Sequence, residues 1–176
     1  ARSFRGSRRA AIVTTLPEAK RDTLRTRHAM VEAELSRQIA GQILKACAQG
    51  SVKTVGCLSG LPQAGTTSFI TNLADSMAAS GRKVLVVDAN FRRSHLAAAM
   101  GTEPDARGLG DVLRGAITAG DAIRPAGGDV DIVPAGTPDS RVFELLNTPA
   151  LDAFLQEVSA RYDIVLVDLP PVVVAG

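Results

Sequence analysis

Residues 60–68 read GLPQAGTTS and stand between the apolar run 53–60 (KTVGCLSG) and the helix-like stretch 69–80 (FITNLADSMAAS). The glycines Gly60 and Gly65 have the spacing of the phosphate-binding pattern G-x-x-x-x-G-K-[ST], and Thr67 fills its hydroxyl position. The lysine position holds Thr66. Glycines here allow a backbone path and a close approach that a side chain would obstruct. The helix start that follows offers unpaired N–H groups and the positive end of a dipole to an anion. The segment Gly60, Gln63, Ala64, Gly65, Thr66, Thr67 and Ser68 is therefore the candidate phosphate cradle.

Around that turn the hydrophobic period alternates. Residues 30–48 (MVEAELSRQIAGQILKACA) repeat apolar groups at helical spacing through Val31, Leu35, Ile39, Ile43 and Cys47. Residues 52–58 read as a strand and 66–80 as a helix closed by Gly81. The runs KVLVVDAN (83–90), VDIVPAG (130–136) and DIVLVDLPP (163–171) are short, continuous and β-branched, as in strands covered on both faces. Helical stretches lie between them, near 108–115 and over 143–162. Strand and helix in alternation imply a doubly wound α/β domain with a mainly parallel sheet. The apolar run after the last strand implies that further strands follow, so the fold is expected to be truncated there.

In such a sheet ligands sit beyond the carboxyl ends of the strands. Asp88 closes VLVVD and Asp168 closes IVLVD, and both would stand near the glycine turn. Thr67, Asp88 and Asp168 together make a candidate Mg²⁺ site. The simpler reading, carboxylates that cap strands and pair with backbone, stands beside it. Three such segments in order, each after an apolar strand, point to a P-loop NTPase fold. Catalysis is another matter. The absent lysine would place a positive charge on the β- and γ-phosphates, and a threonine hydroxyl is neutral. Loss of that charge alone is worth roughly 10²–10⁴ in turnover. Either the site has lost function or Arg92 or Arg93 swings a guanidinium into it.

Composition bounds the rest. The 176 residues are 45% hydrophobic but only 3% aromatic, so the core is built from Val, Leu, Ile and Ala. A net charge of +2 gives no case for a nucleic-acid partner. Arg2, Arg5, Arg8, Arg9, Lys20, Arg21, Arg25 and Arg27 crowd the lead, which suits an anionic lipid or a partner, or simply a solvated tail. Residues 1–28 are thus expected to be a flexible basic segment and 29–176 the domain. Cys47 and Cys57 read as free thiols. No apolar run reaches the ~18–20 residues that cross a bilayer. The chain starts at Ala1 with no secretion signal, and is expected to be an excerpt of a cytoplasmic protein whose anchor lies outside it.

From about Glu34 onward the chain resembles the cytoplasmic domain of bacterial tyrosine kinases (BY-kinases), which share ancestry with ParA/MinD ATPases. Three nucleotide motifs carry the resemblance: Walker A at 60–67, Walker A′ at 84–90 and Walker B at 164–168. The stretches ANFRR, LAAAMG, GLGDVLRG, VPAG, FELLN and YDIVLVDLPPV follow in the family's order. The departures are Thr66 for lysine, Asn90 for the second Walker A′ aspartate, Ser94 for proline and DSRV for a proline-rich turn. The best-spaced match to the family's E-x-x-R-x-x-R oligomerisation motif is Glu34 and Arg37, with Ala40 in the third place; Glu18, Arg21 and Arg25 are an alternative placement that keeps three charges with one extra residue. Its tyrosine-rich tail is missing, and Tyr162 reads as a packing residue.

The resemblance implies ATP or ADP with Mg²⁺ as cofactors, against which the missing lysine argues. It implies a membrane-bound (Wzz-like) polysaccharide co-polymerase as partner, a place on the cytoplasmic side of the inner membrane, and homo-oligomers through the helix of Glu34 and Arg37. The sequence is thus read as a degenerate BY-kinase-like domain, non-catalytic or weakly nucleotide-binding, that serves exopolysaccharide or capsule assembly and export. An active protein-tyrosine autokinase with Asp88 as base is the alternative, with a ParA/MinD-like ATPase behind it.

Overall fold

In the computed structural model of the chain, residues 10–13, 25–48, 52–58, 65–91, 94–102, 107–137 and 142–170 are described. Six strands form one sheet: β1 (Ala10–Val13), β2 (Thr54–Leu58), β3 (Val84–Asp88), β4 (Arg124–Gly127), β5 (Val130–Val133) and β6 (Ile164–Asp168). Their spatial order is β1-β2-β6-β3-β5-β4. Every neighbouring pair is parallel except β4–β5. Parallel neighbours need crossover connections, and helices provide them. These are α1 (Arg25–Ala48), α2 (Thr66–Ala78), α3 (Leu96–Ala99), α4 (Leu109–Leu113), α5 (Ala119–Ala122), α6 (Val142–Leu145) and α7 (Pro149–Ser159).

The β-branched runs at 84–88 and 164–168 are buried at every position. Strand side chains alternate between faces, and the two cores divide accordingly. Val84, Val86, Ile164 and Leu166 join Ile70, Leu73, Met77, Ala40 and Ile43 in a core under α1 and α2. Leu85, Val87, Val165 and Val167 join Leu109, Leu113, Phe154 and Val158 in a second core under α4 and α7. The doubly wound α/β expectation is met.

Three details differ from it. Within the basic lead of residues 1–28, Ala10–Val13 pairs with β2, and α1 begins at Arg25. Ile12 and Val13 are β-branched, and the outer edge of β2 offers them a ladder. The buried line of α1 is Ser36, Ala40 and Ile43, while Val31 is 65% exposed. Small residues there let α1 lie close to the core, and Ser36 satisfies its hydroxyl by donating to the Glu32 carbonyl at 2.7 Å. The antiparallel strand β4 was not anticipated. Its sequence RPAG carries a proline, which a sheet accepts at an edge.

Tyr162 packs as expected, at the end of the sheet opposite the glycine turn. It is 4% exposed, its hydroxyl donates to Asp131 Oδ2 at 2.6 Å, and Lys83 Nζ stands 5.0 Å from its ring centroid. Burial, with the Asp131 carboxylate, pushes the phenol well above its ordinary range. A hydroxyl so committed is a structural group. The Tyr162→Phe variant is expected to lose about 1.5–3 kcal/mol, the range for a hydrogen bond to a charged group. Urea denaturation checks this through a lower midpoint at unchanged slope.

Candidate functional site

The carboxyl ends of β2, β3, β5 and β6 face the start of α2. Gly65 is the residue before that helix and holds φ 77° and ψ 14°, left-handed values that favour glycine. Its carbonyl accepts the Phe69 N–H at 3.0 Å and so opens the helix. Gly65 has no side chain to cap α2, so among the described residues the amides of its first turn, at Thr66, Thr67 and Ser68, have no side-chain cap. Thr66 and Thr67 are half-buried and Ser68 is exposed. Thr66 thus opens the helix where the phosphate-binding pattern has lysine, and its side chain is neutral. Gly60, Gln63, Ala64 and Arg92, also assigned to this site, lie outside the described residues.

The two strand-end acids are brought together. Asp88 and Asp168 are register partners on adjacent parallel strands, 0% and 4% exposed. The Ala89 N–H donates to the Asp168 carbonyl at 2.9 Å, which extends the ladder by one step. Asp88 Oδ1 accepts the Asn90 N–H and Oδ2 accepts the Ser94 hydroxyl, each at 2.9 Å. Burial raises the Asp88 carboxyl to about 6, against the pull of those donors. Burial, then the charge of Asp88, raises Asp168 to about 7. Cys57 is the β2 register partner of Asp168, and burial pushes its thiol up to about 12. It stays protonated and acts as a small apolar group.

These residues fit Mg²⁺. Two carboxyls are buried side by side, and the charge of Asp88 raises Asp168; a hard cation takes carboxylate oxygens. Mg²⁺ commonly uses one or two carboxylates and keeps its waters, so the lack of a three-group metal cluster among the described residues is compatible with it. Thr67 sits on the first turn of α2.

A third wall was not foreseen. The loop after β5 abuts the start of α4: Leu109 N–H donates to the Pro134 carbonyl at 2.8 Å and Gly110 N–H to Ala135 at 3.0 Å. A Cβ on Gly108 would fall 2.2 Å from the Pro134 oxygen, so only glycine passes there. Asp111 ties the crossing, accepting the Gly108 N–H at 3.0 Å and the Arg114 guanidinium at 2.7 Å. The stretches GLGD and VPAG were legible as motifs, but their mutual contact was not.

Residues 63–174, more than half of the chain, match the family model described as an AAA domain. The chain belongs to this AAA-domain family. Within it, this is a BY-kinase-like P-loop domain. The tyrosine-protein kinase wzc of Salmonella typhimurium is 30% identical over 63% of the chain, which spans only 15% of that protein's length. The tyrosine-protein kinase YwqD of Bacillus subtilis is 28% identical over 97% of the chain and 68% of its own length. Among solved structures, the BceF tyrosine kinase domain superposes with a TM-score of 0.72 at 29% identity, covering 81% of this chain and 57% of that one. The septum site-determining protein MinD from Pyrococcus horikoshii, complexed with Mg-ADP, gives 0.60 at 28% identity over 69% of this chain and 50% of its own.

In this AAA-domain chain the acid pair has a thermodynamic signature. Both folded carboxyls titrate above the ordinary carboxylate value, so between about pH 4 and 7 the folded state binds more protons than the unfolded. Stability therefore declines as pH rises through that window. Asp168→Asn removes the charge and is expected to be more stable than the wild type at pH 8, by a few kcal/mol at most, with the gap closing by about pH 4. Thermal melts of both proteins from pH 4 to 8 check the sign.

Proposed function

We propose that this domain binds nucleotide weakly and does not transfer phosphoryl groups, serving as a partner of a membrane-bound co-polymerase in exopolysaccharide or capsule assembly. The observation that carries the reading is Thr66 at the first position of α2, beside an intact left-handed Gly65. The amide cradle persists and can hold a phosphate through N–H groups and the helix dipole. The charge that would balance a departing phosphoryl is missing from the loop.

When bound, Mg²⁺ would neutralise phosphate charge, with Thr67, Asp88 and Asp168 as the residues to hold it. The remaining roles belong to the chain. The α2 amides orient the phosphates, and the apolar strands keep water from the carboxyls. The likeness to named tyrosine kinases supports the pathway assigned here by analogy. No described helix is long and apolar enough to cross a membrane. On α1, Glu34 and Arg37 pair with each other at 2.6 Å on an exposed face, and a second copy of the chain is the partner proposed for that face.

A second reading has one observation in its favour. Asp88 and Asp168 are both kept and side by side, as an active autokinase with Asp88 as base would need. Calorimetry with ATP, with and without Mg²⁺, separates the two. Weak or absent heat is expected for the wild type, and Thr66→Lys is expected to gain about tenfold or more in affinity. Micromolar ATP binding by the unaltered chain together with phosphotyrosine formation would overturn the non-catalytic reading.

A further inference from the structure

Asp88 is held by a side chain that the BY-kinase pattern does not contain. Ser94, where that pattern has proline, donates from Oγ to Asp88 Oδ2 at 2.9 Å. The Asn90 N–H serves Oδ1 at 2.9 Å. Ser94 itself is exposed while Asp88 is wholly buried, so the hydroxyl reaches inward from the surface to fix the acid. A carboxylate offers about four acceptor positions, and these two donors leave room for a further partner. Two residues along, Asn90 Oδ1 is buried with no hydrogen-bond partner among the described residues. An orphaned buried acceptor costs about 1–3 kcal/mol and marks a place where a donor is wanted. Water on a bound cation supplies such donors.

We propose that Ser94 is a positioning residue for a divalent cation, orienting the Asp88 carboxylate beside Asp168, with Asn90 Oδ1 receiving a hydrogen bond from the cation's water. The proposal rests on the reading of this site as one for nucleotide with Mg²⁺. Ser94 does by hydrogen bonding what proline cannot, since proline lacks both a hydroxyl and an N–H. A group that hydrogen-bonds a ligating carboxylate fixes its orientation, and removing such groups typically costs about 10–100-fold in metal affinity.

The test uses the full chain and Mn²⁺ alone as probe, with free Mn²⁺ followed by electron paramagnetic resonance at pH 7.5. Ser94→Ala is expected to weaken Mn²⁺ binding about tenfold or more, and Ser94→Thr, which keeps the hydroxyl, to restore it. Ser94→Cys, a poor donor, is the second variant and should bind as weakly as Ser94→Ala. In an Asp88→Ala background the Ser94→Ala change should add nothing, an outcome that a general loss of structure would not give. Equal Mn²⁺ binding by wild type and Ser94→Ala, whether measurable in both or in neither, overturns the proposal. So does a Ser94 effect that survives undiminished without Asp88. A separate calorimetric titration with ADP judges the nucleotide reading. Ser94-dependent Mn²⁺ binding with no ADP heat would sink that reading and leave this one standing.

Discussion

The register that sets Asp88 of β3 beside Asp168 of β6 is the constraint on which the carboxyl end of the sheet depends. Each acid terminates five buried strand residues, and the apolar burial that drives the sheet together also carries the carboxyls out of water. The cost appears in both groups as a raised affinity for protons. Nothing in the packing requires acids there. Apolar residues at the same two places would be covered as well, so the pair is explained by what it can hold rather than by what it stabilises.

The elements around that pair divide into those that form it and those that frame it. The cores on the two faces of the sheet fix where β3 and β6 lie, because successive residues of one strand enter opposite cores. The turn from β2 into α2 then fixes where an anion can approach. Gly108 and Gly136 set the far wall, where the backbone of α4's first residues crosses the loop after β5 with no space for a Cβ. Tyr162, Asp131 and Lys83 form a packed cluster at the opposite end of the sheet.

Much of this was legible in the sequence, for reasons that differ by element. Strands β3 and β6 are continuous β-branched runs buried on both faces, and no helix of five residues would leave such a pattern. The α2 turn was legible because glycine spacing reports a backbone need. What escaped were short pieces whose structure is decided by neighbours. Ala10–Val13 is four residues in a basic lead and becomes a strand only because β2 offers an edge. Arg124–Gly127 contains a proline and two small residues, and becomes a strand only beside β5. On α1 the expected apolar line reaches the core at Ile39, Ile43 and Cys47 but not at Val31, which is exposed, and Ser36 and Ala40 are buried beside it although neither stands out in an apolar pattern. At the site, Ser94 and Asn90 were visible only as departures. That one anchors Asp88 and the other lacks a partner are facts of distance, which no pattern of residue types contains.

The exchange of lysine for threonine changes more than one contact. A phosphate loop with lysine carries its own positive charge, and the acids at the strand ends then balance a site that is already cationic on one side. With Thr66 the described part of the loop offers only amide dipoles, while Asp88 and Asp168 remain. A polyphosphate entering alone would meet two buried carboxyls with no side-chain cation on the first turn of α2 to offset them, and their repulsion is poorly screened because they are out of water. The departures at Thr66 and Ser94 are therefore connected. On the proposed reading, the first would make nucleotide binding depend more heavily on a divalent cation, and the second would strengthen the grip on the carboxylate that would hold one.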